Sequence, residues 1–203
     1  MKKKLFIFVT IFALYLTACG KDEIVTDFSE RVDALDRDIE VSDINEIADL
    51  YNVYNNMTDK QKEQVDNLDG LDTAYNKLDD HKNEEKYAVC IWLMNRLYSS
   101  LDSLDGFSVN LINYCSYETD EGYTNSMVYI DYNTNNYYGN SQHKKCLGIY
   151  MGDPDRSDAE GDNWYVYSED NENYDTLYDI YNQMEHESIN IDYILSYLDI
   201  VSK

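Results

Sequence analysis

The stretch EKYAVCIWLMNRLYSSLDSLDGFSVNLINYCSY, Glu85 to Tyr117, changes its hydrophobic period part-way along. In its first half Tyr87, Cys90, Ile91, Met94, Leu97, Tyr98 and Leu101 recur at helical steps and occupy more than one face. A helix that is apolar nearly all round belongs in an interior, so residues 85–103 are expected to form a helix packed across a sheet. Gly106 is expected to end it. Beyond that point Phe107, Val109 and Leu111 alternate toward Cys115 and Tyr117, which is the period of a strand.

Toward the C-terminus, Met127–Tyr132, Cys146–Met151 and Trp164–Tyr167 are rich in β-branched and aromatic residues. Polar segments separate them: Asp120–Asn125, Asn133–Ser141 and Gly152–Asn163. A helical period returns at Tyr174, Leu177, Tyr178 and Tyr181, and again at Ile191, Ile194, Leu195 and Leu198. Helix, antiparallel strands and helices in that order predict an α+β fold rather than the alternation of a parallel sheet. The segment Val128-Tyr129-Ile130-Asp131-Tyr132-x-x-x-Asn136-x-x-Gly139 is similar to one in small Firmicutes lipoproteins without an assigned activity; here Asn140 stands where a second glycine is usual. A helix packed on a curved antiparallel sheet would be cystatin-like, by analogy of fold only.

Toward the N-terminus the pattern is helical throughout 24–82. Ile24, Phe28, Val32, Leu35 and Ile39 form one stripe, and Ile44, Ile47, Ala48, Tyr51 and Tyr54 form a second that Ser42 is placed to cap. Thr58-Asp59-Lys60-Gln61 fits a capping box, and Leu71, Ala74, Tyr75 and Leu78 mark a last helical face after Gly70. Short polar joints between short helices imply a small antiparallel bundle. The run Tyr54…Met57-Thr58-x-x-Gln61-Lys62-x-x-Val65 resembles the Y-x-x-L-T-x-x-Q-K-x-x-V module of Gram-positive surface proteins, with Met57 in place of the usual Leu. That resemblance implies an extracellular spacer or adhesion module. The charged run at residues 80–86 reads as a hinge before an α+β part at 83–203, the alternative being a solvated helix turn.

The 203 residues carry 16 Lys+Arg against 40 Asp+Glu, a formal charge of −24. Such a balance excludes a nucleic-acid binder, which needs clustered cations against phosphates. With 43% hydrophobic residues, 21 tyrosines and one proline, the chain is not a disordered one.

Residues 1–18 run from Met-Lys-Lys-Lys through LFIFVTIFALYLTA without an acid, the pattern of an export signal whose apolar run is too short to span a bilayer. Leu16-Thr17-Ala18-Cys19 resembles the bacterial lipobox. The resemblance implies cleavage before Cys19, acylation of its thiol, a tether over 19–23, and anchoring to the outer face of the bacterial cytoplasmic membrane through the acyl chains. Cleavage would leave 203 − 18 = 185 residues.

Cys90, Cys115 and Cys146 then remain, so at most one disulfide can form; Cys115 with Cys146 is the candidate, the alternative being three buried small hydrophobes. The acidic loop Asp153, Asp155, Asp158, Glu160 and Asp162 offers alternate oxygen ligands of the kind calcium takes. It lacks the EF-hand glycine and the closing glutamate, since Asp158 and Trp164 occupy those positions. His143 and Cys146 are three apart, a zinc-ligand spacing short of a full ligand set. His186 lies between Glu185 and Glu187, and His81 sits in the charged hinge. No G-x-S-x-G elbow, Walker loop or H-E-x-x-H motif is present. Tyr137, Tyr138, Trp164, Tyr165 and Tyr167 fall in or beside polar segments, where amphipathic rings suit a glycan or a protein, and form the candidate binding face. The alternative is that they pack in the core or at its rim. The expectation is a lipid-anchored surface protein with a non-catalytic binding role and no cofactor. An accessory subunit of an envelope transport or wall-assembly complex, or a hydrolase with a dispersed site, is the alternative.

Overall fold

A computed structural model describes residues 22–35, 37–101, 104–152 and 164–198. The chain divides into two compact units, one ending at Leu78 and the other starting at Asp79.

The first unit holds α1 (Glu23–Asp33), α2 (Ile44–Asn56), α3 (Asp59–Lys62) and most of α4 (Leu68–Asp80). Asp22 caps α1, its carboxylate accepting from the Ile24 amide at 3.1 Å. The buried stripe of α1 is Val25, Phe28 and Val32, which leaves Ile24 half exposed beside it. The helix stops at Asp33; Leu35 and Ile39 are buried from the connecting segment, not from the helix. Ser42 sits within a 3₁₀ turn (Val41–Asp43), and the Asp43 carboxylate accepts from the Glu40 amide at 3.0 Å instead. On α2 the buried residues are Ile47 and Leu50, while Ala48 is exposed. Thr58 and Gln61 form the reciprocal box: Gln61 N–H donates to Thr58 Oγ1 at 3.3 Å and Thr58 N–H to Gln61 Oε1 at 2.8 Å. Leu71, Ala74 and Leu78 of α4 close this core, with Gly70 inside the first turn of α4.

In the second unit α5 (Glu85–Ser100) crosses a five-stranded antiparallel sheet of order β4-β3-β2-β1-β5. The strands are β1 (Ser108–Glu118), β2 (Thr124–Asn135), β3 (Ser141–Tyr150), β4 (Trp164–Ser168) and β5 (Glu187–Ser188). The helices α6 (Tyr174–Tyr181) and α7 (Ile191–Ser196) complete an α+β unit. Strand alternation puts Ile112, Val128, Ile130, Cys146 and Gly148 on the α5 face. A Cβ on Gly148 would stand 2.5 Å from Leu93 Cδ2, so glycine sets how closely α5 approaches β3. Tyr193 of α7 is fully buried and meets Tyr87 of α5 edge-on, ring centroids 5.2 Å apart. The opposite face buries Cys115, Met127, Tyr129, Leu147 and Ile149 against Tyr174 and Tyr181 of α6.

Cys115 and Cys146 project from opposite faces of the sheet, so the disulfide considered from sequence does not form; Cys90, Cys115 and Cys146 are all free and buried. Burial pushes the Cys115 thiol up to about 11 and the Cys146 thiol up to about 12. Among the described residues no helix is long and apolar enough to cross a membrane.

Candidate functional site

The β2–β3 hairpin is longer than hydrophobic alternation predicts, pairing out to Asn135 with Ser141. Its turn therefore contains only residues 136–140 and is held by its own polar groups. Asn136 Oδ1 accepts from the amides of Tyr138 and Asn140, each at 3.0 Å, and Gly139 takes the left-handed conformation at φ +77°. The amide of Asn136 donates to the Asn140 carbonyl at 2.9 Å, closing the turn. Tyr137 and Tyr138 contribute no side-chain bond to it and stand 86% and 83% exposed, T-shaped against each other at 5.5 Å.

Next to this tip, the α6 face of the sheet turns polar. Asp131 pairs with Lys145 across β2 and β3, and Asn133 pairs with His143. On β1 the register slips between Val109 and Leu111, a bulge that leaves Asn110 as the extra residue. Asn110 Nδ2 donates to Asp131 Oδ1 at 2.7 Å, and His143 Nε2 lies 2.7 Å from the same oxygen. Asn133 Nδ2 in turn donates to Asn110 Oδ1 at 3.0 Å and to Ser108 Oγ at 3.2 Å. Burial alone would raise the Asp131 carboxyl, but the Asn110 and His143 hydrogen bonds together hold it below the usual carboxylate range. The result is a pre-set ladder of amide, carboxylate, imidazole and ammonium groups on β1 and on the same hairpin whose turn carries two exposed phenol rings. It can form hydrogen bonds and stack; among the described residues no hydroxyl or thiol is placed against His143 for activation as a nucleophile.

The five aromatic residues singled out from sequence are not brought together. Trp164 pairs with Tyr150, the far end of β3, so about 30 Å of strand separates it from the hairpin turn. It stacks on Trp92 of α5 at 4.3 Å and against Tyr150 at 4.6 Å, with the Arg96 guanidinium 5.5 Å over Trp92. Tyr165 and Tyr167 lie on the other face of β4, where Tyr167 packs on the α6 core. Only Tyr137 and Tyr138 form an exposed pair. His143 and Cys146 point to opposite faces of β3, which rules out a shared zinc. His186 stacks on Tyr181 at 4.0 Å with Nε2 2.7 Å from the Tyr181 carbonyl, and His81 bonds Glu84 in the turn before α5. Among the described residues no group of His, Cys, Asp and Glu could hold a metal. The acidic loop Asp153, Asp155, Asp158, Glu160 and Asp162 lies outside the described residues, as do Cys19 and the box Leu16, Thr17 and Ala18.

The first unit carries a groove of about 750 Å³ between α1 and α2, ending at the α2–α3 joint. Ile24, Val53 and Met57 supply apolar surface and Glu23, Asp27 and Asp49 carboxylates. Sequence reading missed both the ladder and the groove. The signal for the ladder was the shared parity of Asp131 and Asn133 on one strand and of His143 and Lys145 on the next.

No family model, curated protein or solved structure matches the chain.

Proposed function

We propose that this chain is a non-catalytic binding protein, anchored by acyl chains on Cys19 to the outer face of a bacterial membrane, whose second unit holds a surface glycan. The observation that carries the reading is the Tyr137–Tyr138 pair, more than four-fifths exposed on a turn that does not need the rings for its own shape. Exposed rings offer faces on which sugar C–H groups stack. Asn110, Asp131, Asn133, His143 and Lys145 supply planar or charged hydrogen-bonding groups lower on the hairpin strands and the neighbouring β1, as sugar hydroxyls require of a site that a longer glycan would span.

The test is co-sedimentation of residues 20–203 with purified cell-wall glycan, wild type against Tyr137→Ala/Tyr138→Ala. Loss of sedimentation with an unchanged melting curve supports the platform; equal sedimentation refutes it, and binding instead to protease-sensitive material would make the partner a protein. The anchor is tested separately. Cys19→Ser should shift the full chain out of the membrane fraction, and unaltered fractionation would defeat the lipobox reading.

A further inference from the structure

We infer that the groove between α1 and α2 of the first unit is a docking site for a cationic amphipathic peptide segment. Its volume of about 750 Å³ falls in the range of ligand sites, and its lining joins apolar side chains to carboxylates. Ile24 is 50% exposed although its neighbours on α1, Val25 and Phe28, are fully buried. It stands beside the half-buried Val53, over the buried Met57 at the groove floor, so the groove offers a short branched apolar strip of the kind that takes leucine-like residues.

The charge around that apolar strip is one-sided. Glu23, Asp27 and Asp49 line the groove, and the arginine nearest them is already committed. Arg31 bonds Asp49 through Nη2 at 2.6 Å and Glu46 through Nε at 2.9 Å, leaving only a 4.0 Å contact for Asp27. Among the described residues no ion pair reaches Glu23. One guanidinium therefore faces more carboxylates than it can neutralise, and the surplus is complementary to a ligand carrying lysine or arginine.

An apolar strip between two helices, flanked by acids, matches an incoming helix with an apolar face and basic flanks. Laid between α1 and α2, such a helix would add a third element to their packing, with its i, i+3, i+4 apolar face over Ile24 and Val53. Lysine stems can cover the groove walls while their ammonium groups reach the carboxylates. Both the site and its ligand class are independent of the hairpin and of the glycan reading. If the anchor is as proposed, the groove begins within a few residues of the lipidated cysteine, where a cationic peptide approaching the membrane would meet it.

The experiment is fluorescence polarisation with residues 20–203 and a fluorescein-labelled helical peptide of lysine and leucine. A lysine/serine peptide of equal charge and a glutamine/leucine peptide serve as comparisons. One lysine/leucine peptide should bind per chain. Ile24→Ser, and separately Glu23→Gln/Asp27→Asn, should each weaken binding about tenfold or more at unchanged melting temperature. Both variants alter exposed side chains, so folding is preserved; circular dichroism checks it. If Ile24→Ser binds as wild type does, or if the lysine/serine peptide binds equally well, attraction to the net acidity of the chain explains the signal and the groove is not the site. Undiminished binding by Glu23→Gln/Asp27→Asn also overturns the proposal.

Discussion

Replacing Gly148 by alanine should test how α5 seats on the sheet. The added Cβ would meet Leu93 Cδ2 at 2.5 Å and Cδ1 at 2.9 Å, both far inside van der Waals contact. Leu93 is fully buried, so its methyl groups can move only by displacing packed neighbours. Overpacking of this kind costs about 1–3 kcal/mol. Alanine also restricts the unfolded chain more than glycine does, which returns about 0.4–1 kcal/mol. A net loss of about 1–2 kcal/mol follows. Leu93→Ala alone removes the clashing atoms but leaves a void, at about 2–5 kcal/mol. In Gly148→Ala/Leu93→Ala the new methyl group has room, so the double variant should be less destabilised than the sum of the two by about 1 kcal/mol or more. Urea unfolding followed by far-ultraviolet circular dichroism gives all three values at constant m. Additive losses, or a Gly148→Ala variant as stable as wild type, would refute the close approach of α5 to β3.

Three further outcomes are expected. Trp92 and Trp164 are the chain's two tryptophans and are stacked, so wild type should show an exciton couplet in circular dichroism that vanishes in Trp92→Phe; a spectrum equal to the sum of the two single-tryptophan variants would contradict the stack. The Asp131 carboxyl is held below its usual range, so its contribution is present above the unfolded value of about 4 and disappears as pH falls through the lower folded one. The stability gap between wild type and Asp131→Asn should therefore be widest near neutral pH and narrow as the solution is acidified from about pH 5 to pH 2; a gap constant with pH would count against the Asn110–Asp131–His143 network. Cys90, Cys115 and Cys146 should resist a thiol reagent in the folded chain of residues 20–203 and all react after denaturation, with no change in melting temperature on reduction. Rapid labelling of the folded chain would disprove their burial.

The parts legible in sequence are those where burial writes a period. Residues 85–100 announced a helix because both a sheet and α7 cover it, and the Thr58–Gln61 box declared itself because reciprocal capping needs those residue types at that spacing. Phase was harder than existence. Ile24 and Phe28 are four apart and could share a stripe, but Val25, Phe28 and Val32 are the ones covered, and a single-residue error turned a groove residue into a core residue. The polar half of the β2–β3 hairpin was invisible for another reason. Backbone pairing from Asn133 to Asn135 requires nothing of the side chains, so residues suited to a loop extend a strand there. For Trp164 the sequence left two readings open, because an aromatic residue beside a polar segment reads alike whether it faces solvent or, as here, stacks on a helix more than seventy positions earlier in the chain.

The turn at residues 136–140 divides labour between framework and contact. Its shape resides in Asn136, Gly139, Asn140 and the backbone amide of residue 138, whereas the side chains at 137 and 138 add ring surface and nothing that holds the turn. Side chains at those two positions are thereby released from the demands of folding, so descendants of this chain could change the surface of the hairpin tip without revising the sheet beneath. The same division makes the hairpin an insertion point for randomised dipeptides, a two-position library on a scaffold that leaves folding to other residues.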